Sequence, residues 1–178
     1  KQMIHSLSKR FGRPVTFDGQ EFYTFPEPEI LAEASLADLK LCKLGYRAVN
    51  VRETARLICL GRFDFEPLRI MSYQEAKRML LCLPGVGPKV ADCVLLFALG
   101  KLEAFPIDVW MKRLILECYS QYFDTGFVDK IRSKGGLSTR EYQVLYDFGR
   151  RYFGEYLGYA QEYLYHYKRC QTQSVEKA

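Results

Sequence analysis

Two histidines and no Cys-x-x-Cys pair occur in 178 residues, which argues against a zinc site. No apolar run approaches the roughly 20 residues of a membrane span; residues 94–99 are the longest candidate and are far too few. Internal repeats, low-complexity tracts, an initiator methionine and a signal peptide are also missing. The chain opens at Lys1 with an amphipathic stretch already under way, and so reads as one entered in the middle. Its six cysteines, Cys42, Cys59, Cys82, Cys93, Cys118 and Cys170, are widely scattered, and all but Cys170 have aliphatic neighbours. They are expected to be reduced core thiols of a soluble, intracellular protein rather than a disulfide framework.

What is present points to a helical protein. With 48% hydrophobic residues the chain can bury roughly 70% of its unfolded surface, so one domain is the default expectation. The net charge of +5 tolerates a polyanionic partner without demanding one. Apolar spacing is helical nearly throughout, which predicts an all-α domain. Met3, Ile4, Leu7 and Phe11 make one face of a first helix that Gly12 ends. Residues 13–26, with Asp18-Gly19, two prolines and alternating aromatics, predict a loop or small β-hairpin. A short helix over 28–34 follows, then one begun by Ser35-x-x-Asp38 and stopped at Gly45, and one over 47–60 closed by Gly61.

Ser72-x-x-Glu75 is a capping box opening a helix through Leu81, and a Pro-Gly-x-Gly turn leads to a second helix from Pro88 to Gly100. This helix-hairpin-helix unit occupies about residues 73–99. Residues 104–108 read as extended and 109–119 as helical. A polar loop containing Gly135-Gly136 precedes a helix from Ser138-x-x-Glu141 to Phe153, and residues 156–169 form the last helix before a frayed tail, 170–178.

The hairpin has a physical purpose. Gly85 and Gly87 permit backbone conformations in which consecutive N–H groups point outward at the second helix's positive end, which suits a phosphate. Lys89 lies in that helix's first turn, where the dipole opposes a cation and favours the neutral amine, a nucleophile able to form a Schiff base. Read blandly, it is a surface lysine touching phosphate. Asp108 sits immediately before another helix, where its carboxylate can accept helix N–H bonds while facing Lys89. Helix capping alone is the simpler role, and the two are compatible.

LPGVGPKVADC followed by FPIDVWM resembles the helix-hairpin-helix DNA glycosylase superfamily, and within it the bifunctional 8-oxoguanine DNA glycosylase branch. The spacing of nineteen residues from Lys89 to Asp108 carries the likeness, and Leu44-Gly-Tyr-Arg-Ala48 and Gly158-Tyr-Ala-Gln161 extend it over nearly the whole chain. The resemblance implies a helical glycosylase core that binds double-stranded DNA holding an oxidised purine and flips the lesion out of the stack. Lys89 would attack C1′ of the deoxyribose, Asp108 would stabilise positive charge there, and β-elimination would cut the strand. It implies that Tyr46 wedges into the duplex while Arg47 bonds the estranged cytosine, and that Val90 and Trp110 join Gly85 and Gly87 along the DNA backbone. Gln161 would read the flipped purine's Watson–Crick edge and Tyr165 would stack on it. Cys93, one turn beyond Lys89, would form the opposite pocket wall, and Phe97 follows one turn later; for Cys93 plain packing weighs equally.

Trp110 stands where well-known members carry histidine, and Tyr165 where they carry phenylalanine, so base preference stays open. No cofactor is required on this reading; a monovalent or calcium cation held by the carbonyls of Leu81, Leu83 and Val86 is compatible with it. The family also carries an N-terminal β-rich domain, so the chain is expected to be the catalytic core of a longer, monomeric enzyme or one fragment of it. Two alternatives stand beside this one. A thymine-glycol type lyase shares the lysine and the aspartate but usually has a four-cysteine iron–sulfur loop, of which only Cys170 lies near this C-terminus. A non-catalytic hairpin module would need neither Lys89 nor Asp108.

Overall fold

The computed structural model describes residues 2–175. Among the described residues ten α-helices and one hairpin, with short 3-10 turns and one π segment between them, follow in the order α1 (Gln2–Phe11), β1 (Pro14–Phe17), β2 (Gln20–Tyr23), α2 (Pro28–Glu33), α3 (Leu36–Leu41), α4 (Arg47–Cys59), α5 (Tyr73–Leu80), α6 (Pro88–Cys93), α7 (Val109–Cys118), α8 (Thr125–Arg132), α9 (Thr139–Phe153) and α10 (Leu157–Val175). The helical expectation holds, with the small sheet where the Asp18-Gly19 turn placed it. β1 and β2 are antiparallel, with Pro14 opposite Tyr23 and Phe17 opposite Gln20.

Backbone contacts divide the chain into two compact units. In the first, which runs to Pro67 and takes in Leu83–Gly85, α1 to α4 enclose Leu7, Leu31, Leu39, Leu44, Ala48 and Ala55. Each buried leucine contributes about 1.5–3 kcal/mol relative to exposure. Ser35 caps α3 by accepting from Asp38 N–H at 3.1 Å. This helix ends at Leu41, before Gly45, because left-handed backbone at Lys43 (φ 64°) and Gly45 (φ 57°) turns the chain into α4.

The second unit, Leu68–Cys82 with residues from Val86 onward, holds the larger core. Leu95, Phe105, Met111, Ile115, Leu145 and Tyr146 are almost fully buried within it. Complete capping boxes, Ser72 with Glu75 and Ser138 with Glu141, start α5 and α9. Two departures from the sequence expectation stand out. The stretch after Arg113's helix is not all loop, since Asp124 accepts from Phe127 N–H at 3.1 Å and starts α8, whose Val128 and Ile131 are buried. Gly126 and the polar residues around it mask that amphipathic spacing. The tail is also less frayed than expected: α10 continues through Val175, and residues 176–178 lie outside the described part.

The thiols depart as well. Only Cys42 is buried and Cys93 half-buried, whereas Cys59, Cys82 and Cys118 are exposed. No described helix is long and apolar enough to cross a membrane.

The loop between α8 and α9 is held by charge. Glu141, though nearly buried, pairs with Lys134 at 2.6 Å and Lys130 at 3.4 Å. The Lys134 ammonium, and after it the Ser138 N–H, hold its carboxyl down at about 2, below the ordinary 4.5. A depressed carboxylate stabilises the fold fully above its unfolded value, and that contribution is lost as pH falls towards the folded one. Urea midpoints should therefore separate wild type from Glu141→Gln at pH 6, with the gap closing between about pH 4.5 and 2; a gap independent of pH would refute this.

Candidate active site

Lys89 is brought to its place by the hairpin. Gly87 is the N-cap of α6 and Pro88 its first residue, which leaves Lys89 exposed in the first turn. Gly85 has φ 73°, and a Cβ there would collide with the Asn50 side chain, so the turn needs glycine twice over. The second hairpin helix is not α-helical throughout. From Val94 to Ala98 it widens to π winding, with Leu99 N–H bonded to Val94 O five residues back at 3.2 Å. Such wide turns occur frequently at functional sites.

Asp108 is the N-cap of α7, its Oδ1 accepting from Met111 N–H at 2.8 Å. The capping role read from sequence is therefore real, and the second carboxylate oxygen is not used by it. Gln161 arrives from α10, placed by Gly158, whose N–H donates to Leu102 O at 2.8 Å. A Cβ at Gly158 would lie 2.9 Å from that carbonyl, so the close approach requires glycine.

These elements converge on one cavity of about 330 Å³ lined by Lys89, Cys93, Phe97, Pro106, Asp108, Gln161, Glu162 and Tyr165. Six residues singled out in the sequence meet there; Pro106 and Glu162 were not among them. Gln161 is 5% exposed, and its Oε1 is buried without a hydrogen-bond partner among the described residues. An unmet buried acceptor costs about 1–3 kcal/mol and so marks a place for a donor from outside. A second cavity of about 340 Å³ shares Lys89 and Asp108 and adds Gly87, Val90, Lys112 and the Gly135-Gly136 loop. Lys112, 2% exposed, fixes that loop by donating to Ile131 O at 3.0 Å and to Lys134 O, and burial pushes its ammonium below its ordinary value.

Trp110 lines neither cavity. It is 44% exposed, and the Arg113 guanidinium lies 5.5 Å from its ring, so the charge the indole lacks stands one turn away. Tyr46 and Arg47 belong to the first unit. Tyr46 is 75% exposed, which excludes a core role, and Arg47 stacks over its ring at 4.6 Å. Of the residues whose carbonyls were expected to suit a cation, Leu83 is buried, Val86 half-buried and Leu81 exposed. Among the described residues no group of three or more His, Cys, Asp or Glu stands ready to hold a metal ion.

Sequence reasoning missed Asp92, which is fully buried. Tyr73 donates to its Oδ1 at 2.8 Å, Tyr142 to its Oδ2 at 2.6 Å, and Lys77 pairs with it at 2.9 Å. Burial and then the Asp92 charge raise both phenols above their ordinary values, keeping them as donors. The i, i+4 pair Tyr73 and Lys77 on α5, facing an acid in the partner helix, was the available signal.

Comparison with known proteins fits this geometry. The chain is 35% identical to the probable N-glycosylase/DNA lyase of Methanothermobacter thermautotrophicus, an alignment covering 93% of this chain and 54% of that protein. It is 28% identical to the N-glycosylase/DNA lyase of Saccharomyces cerevisiae, covering 92% and 49%. The fold superimposes with a TM-score of 0.80 and 30% identity on the Clostridium acetobutylicum 8-oxoguanine glycosylase/lyase in complex with double-stranded DNA containing cytosine opposite 8-oxoG, covering 96% of this chain and 53% of that one. The chain is homologous to these N-glycosylase/DNA lyases. No family model matches it. This glycosylase homologue spans about half the length of the relatives it matches.

In this glycosylase homologue the orphaned Gln161 carbonyl generates a prediction. Gln161→Leu removes an unmet buried acceptor, so thermal unfolding of the free protein should move upward or stay unchanged. A variant clearly less stable than wild type would show that Gln161 is ordinary packing.

Proposed function

We propose that this chain carries the catalytic machinery of a bifunctional DNA glycosylase/lyase acting on 8-oxoguanine opposite cytosine in duplex DNA. The observation that carries the proposal is the single cavity in which an exposed lysine, a helix-capping aspartate and an unpartnered glutamine carbonyl meet. Relatives with the same catalytic name support it. An amide side chain at the cavity wall, with its donor and acceptor groups, suits a purine's Watson–Crick edge. Tyr165, 38% exposed on the cavity wall, offers its ring for stacking.

The chemistry follows from the positions. The flipped nucleotide places C1′ beside Lys89 and Asp108, and its base enters the cavity. The Lys89 Nζ attacks C1′ through its lone pair while the N-glycosidic bond breaks, its electron pair leaving with the base, which takes up a proton. The Asp108 carboxylate faces the positive charge that builds on the sugar, a preorganised interaction of the kind that usually dominates catalysis. Loss of the Nζ proton and opening of the sugar ring give an imine between Lys89 and C1′. Removal of a C2′ proton then expels the 3′ phosphate, and hydrolysis frees the lysine.

The backbone N–H groups at Gly85, Gly87 and the start of α6 hold the neighbouring phosphate in this reading, with Val90 and Trp110 alongside. A cation, where bound, would draw on the carbonyls of Leu81, Leu83 and Val86 and add positive charge near that phosphate. Tyr46 and Arg47 act as wedge and cytosine reader: an exposed ring with a guanidinium already stacked on it is suited to entering a base stack.

Borohydride trapping on a duplex with 8-oxoguanine opposite cytosine should yield a covalent adduct with wild type and none with Lys89→Gln. Asp108→Asn should keep α7 capped and the fold intact, because asparagine caps equally well, yet slow base release by about 10²–10³. DNA binding without any adduct would establish the non-catalytic module instead, and an adduct formed on thymine glycol but not on 8-oxoguanine would establish the other lyase.

A further inference from the structure

Lys89 and Asp108 come from different segments, so their mutual placement depends on whatever joins α6 to the strand-like stretch before α7. The helix end that carries Lys89 also carries Asp92, three residues on and fully buried. The stretch that delivers Asp108 is covered too, with Phe105 and Ile107 buried. One side chain reaches both. The Tyr142 hydroxyl, from α9, donates to Asp92 Oδ2 at 2.6 Å and accepts from the Ile107 N–H at 3.3 Å, with the Phe105 carbonyl 3.0 Å away. Its ring lines the second of the two cavities, next to Lys89 and Asp108.

We propose that Tyr142 is a positioning residue: its single hydroxyl ties the Lys89 helix to the residue preceding Asp108 and sets the distance between the two reacting groups. The inference rests on the reading of Lys89 and Asp108 as a catalytic pair. The chemistry of the bridge is well matched. A phenol donates one hydrogen bond and accepts at least one more. The charged acceptor takes the proton, because charge-assisted bonds are shorter and stronger, which leaves the oxygen's lone pairs for the Ile107 amide. The Ile107 N–H is buried and would have no other partner among the described residues. Asp92 cannot swing away, since the Lys77 ammonium pairs with it from α5 whether or not Tyr73 keeps its hydroxyl. The bridge is thus anchored at one end by a buried ion pair and grips at the other the backbone next to Asp108.

Tyr73 supplies the control. Its hydroxyl donates to the same carboxylate, accepts from Lys77 and interacts with the Tyr146 hydroxyl, which in turn bonds Glu103 O, but among the described residues no hydrogen bond joins Tyr73 directly to residues 105–108. A purely structural role predicts similar effects for Tyr73→Phe and Tyr142→Phe. Positioning predicts that only Tyr142→Phe lowers kcat for 8-oxoguanine excision, by about tenfold or more as expected for a small misplacement of reacting groups, with KM for the duplex unchanged. Tyr73→Phe should stay within about threefold of wild type, a drop well short of the misplacement effect. Equal kcat values for both variants, or a parallel fall of kcat and thermal stability in both, would overturn the proposal. Amide hydrogen exchange supplies a readout that needs no activity: Tyr142→Phe should speed exchange at Ile107 and Asp108 and Tyr73→Phe should not. Should wild type form no trapped adduct, the functional reading fails, and unchanged exchange at Ile107 in Tyr142→Phe separately defeats the bridge.

Discussion

A fully buried carboxylate, Asp92, is the interaction on which the second unit turns. It is compensated by one ammonium and two phenol hydroxyls, drawn from α5 and α9. Removing one partner of such a buried pair typically costs about 3–5 kcal/mol, because the remaining charge stays dehydrated. The same burial makes the arrangement specific, since no slipped packing of α5 on α6 would satisfy all four groups. Lys77 lies 4.8–5.4 Å above the rings of Tyr73, Tyr142 and Tyr146, so aromatic faces complete its surroundings. These contacts tie α5 and α9 to the helix whose exposed first turn carries Lys89.

From that anchor the site divides its work between two cavities that share Lys89 and Asp108. One is lined by an unmet amide carbonyl, a thiol and aromatic rings, and suits a base. The other is bounded by the hairpin glycines and by the Gly135-Gly136 loop, which Lys112 and the Glu141 ion pairs fix in place. The buried polar groups that are satisfied hold the scaffold, and the one among the described residues that is not belongs to Gln161, a residue of the cavity wall. Local rules are broken where a ligand would complete them, which is the pattern expected of a functional site.

Much of this was legible in the sequence because it is local. Ser72 with Glu75, Ser138 with Glu141 and the Asp18-Gly19 turn act within four residues of themselves, and each formed as read. Lys89, Cys93 and Phe97 fall on one helix face, and Asp108 announces a cap, so their convergence needed only the hairpin to close. The Asp92 network was not legible, as its partners lie 15 to 50 residues away and only tertiary packing selects them. The helix α8 was hidden by its glycine, and the π winding after Cys93 leaves no mark in an aliphatic run. Exposure of Cys59, Cys82 and Cys118 shows how little an aliphatic neighbourhood says about burial when helices are amphipathic.

In the proposed arrangement a single hydroxyl, that of Tyr142, sets the relation between Lys89 and Asp108. A double-mutant cycle tests it most directly, comparing kcat for base excision in wild type, Tyr142→Phe, Asp108→Asn and the double variant. Groups acting through one another are not additive, whereas independent ones are. Tyr142→Phe should cost nothing further once Asp108 is asparagine, because the misplaced carboxylate is already gone. The same loss in both backgrounds would contradict it.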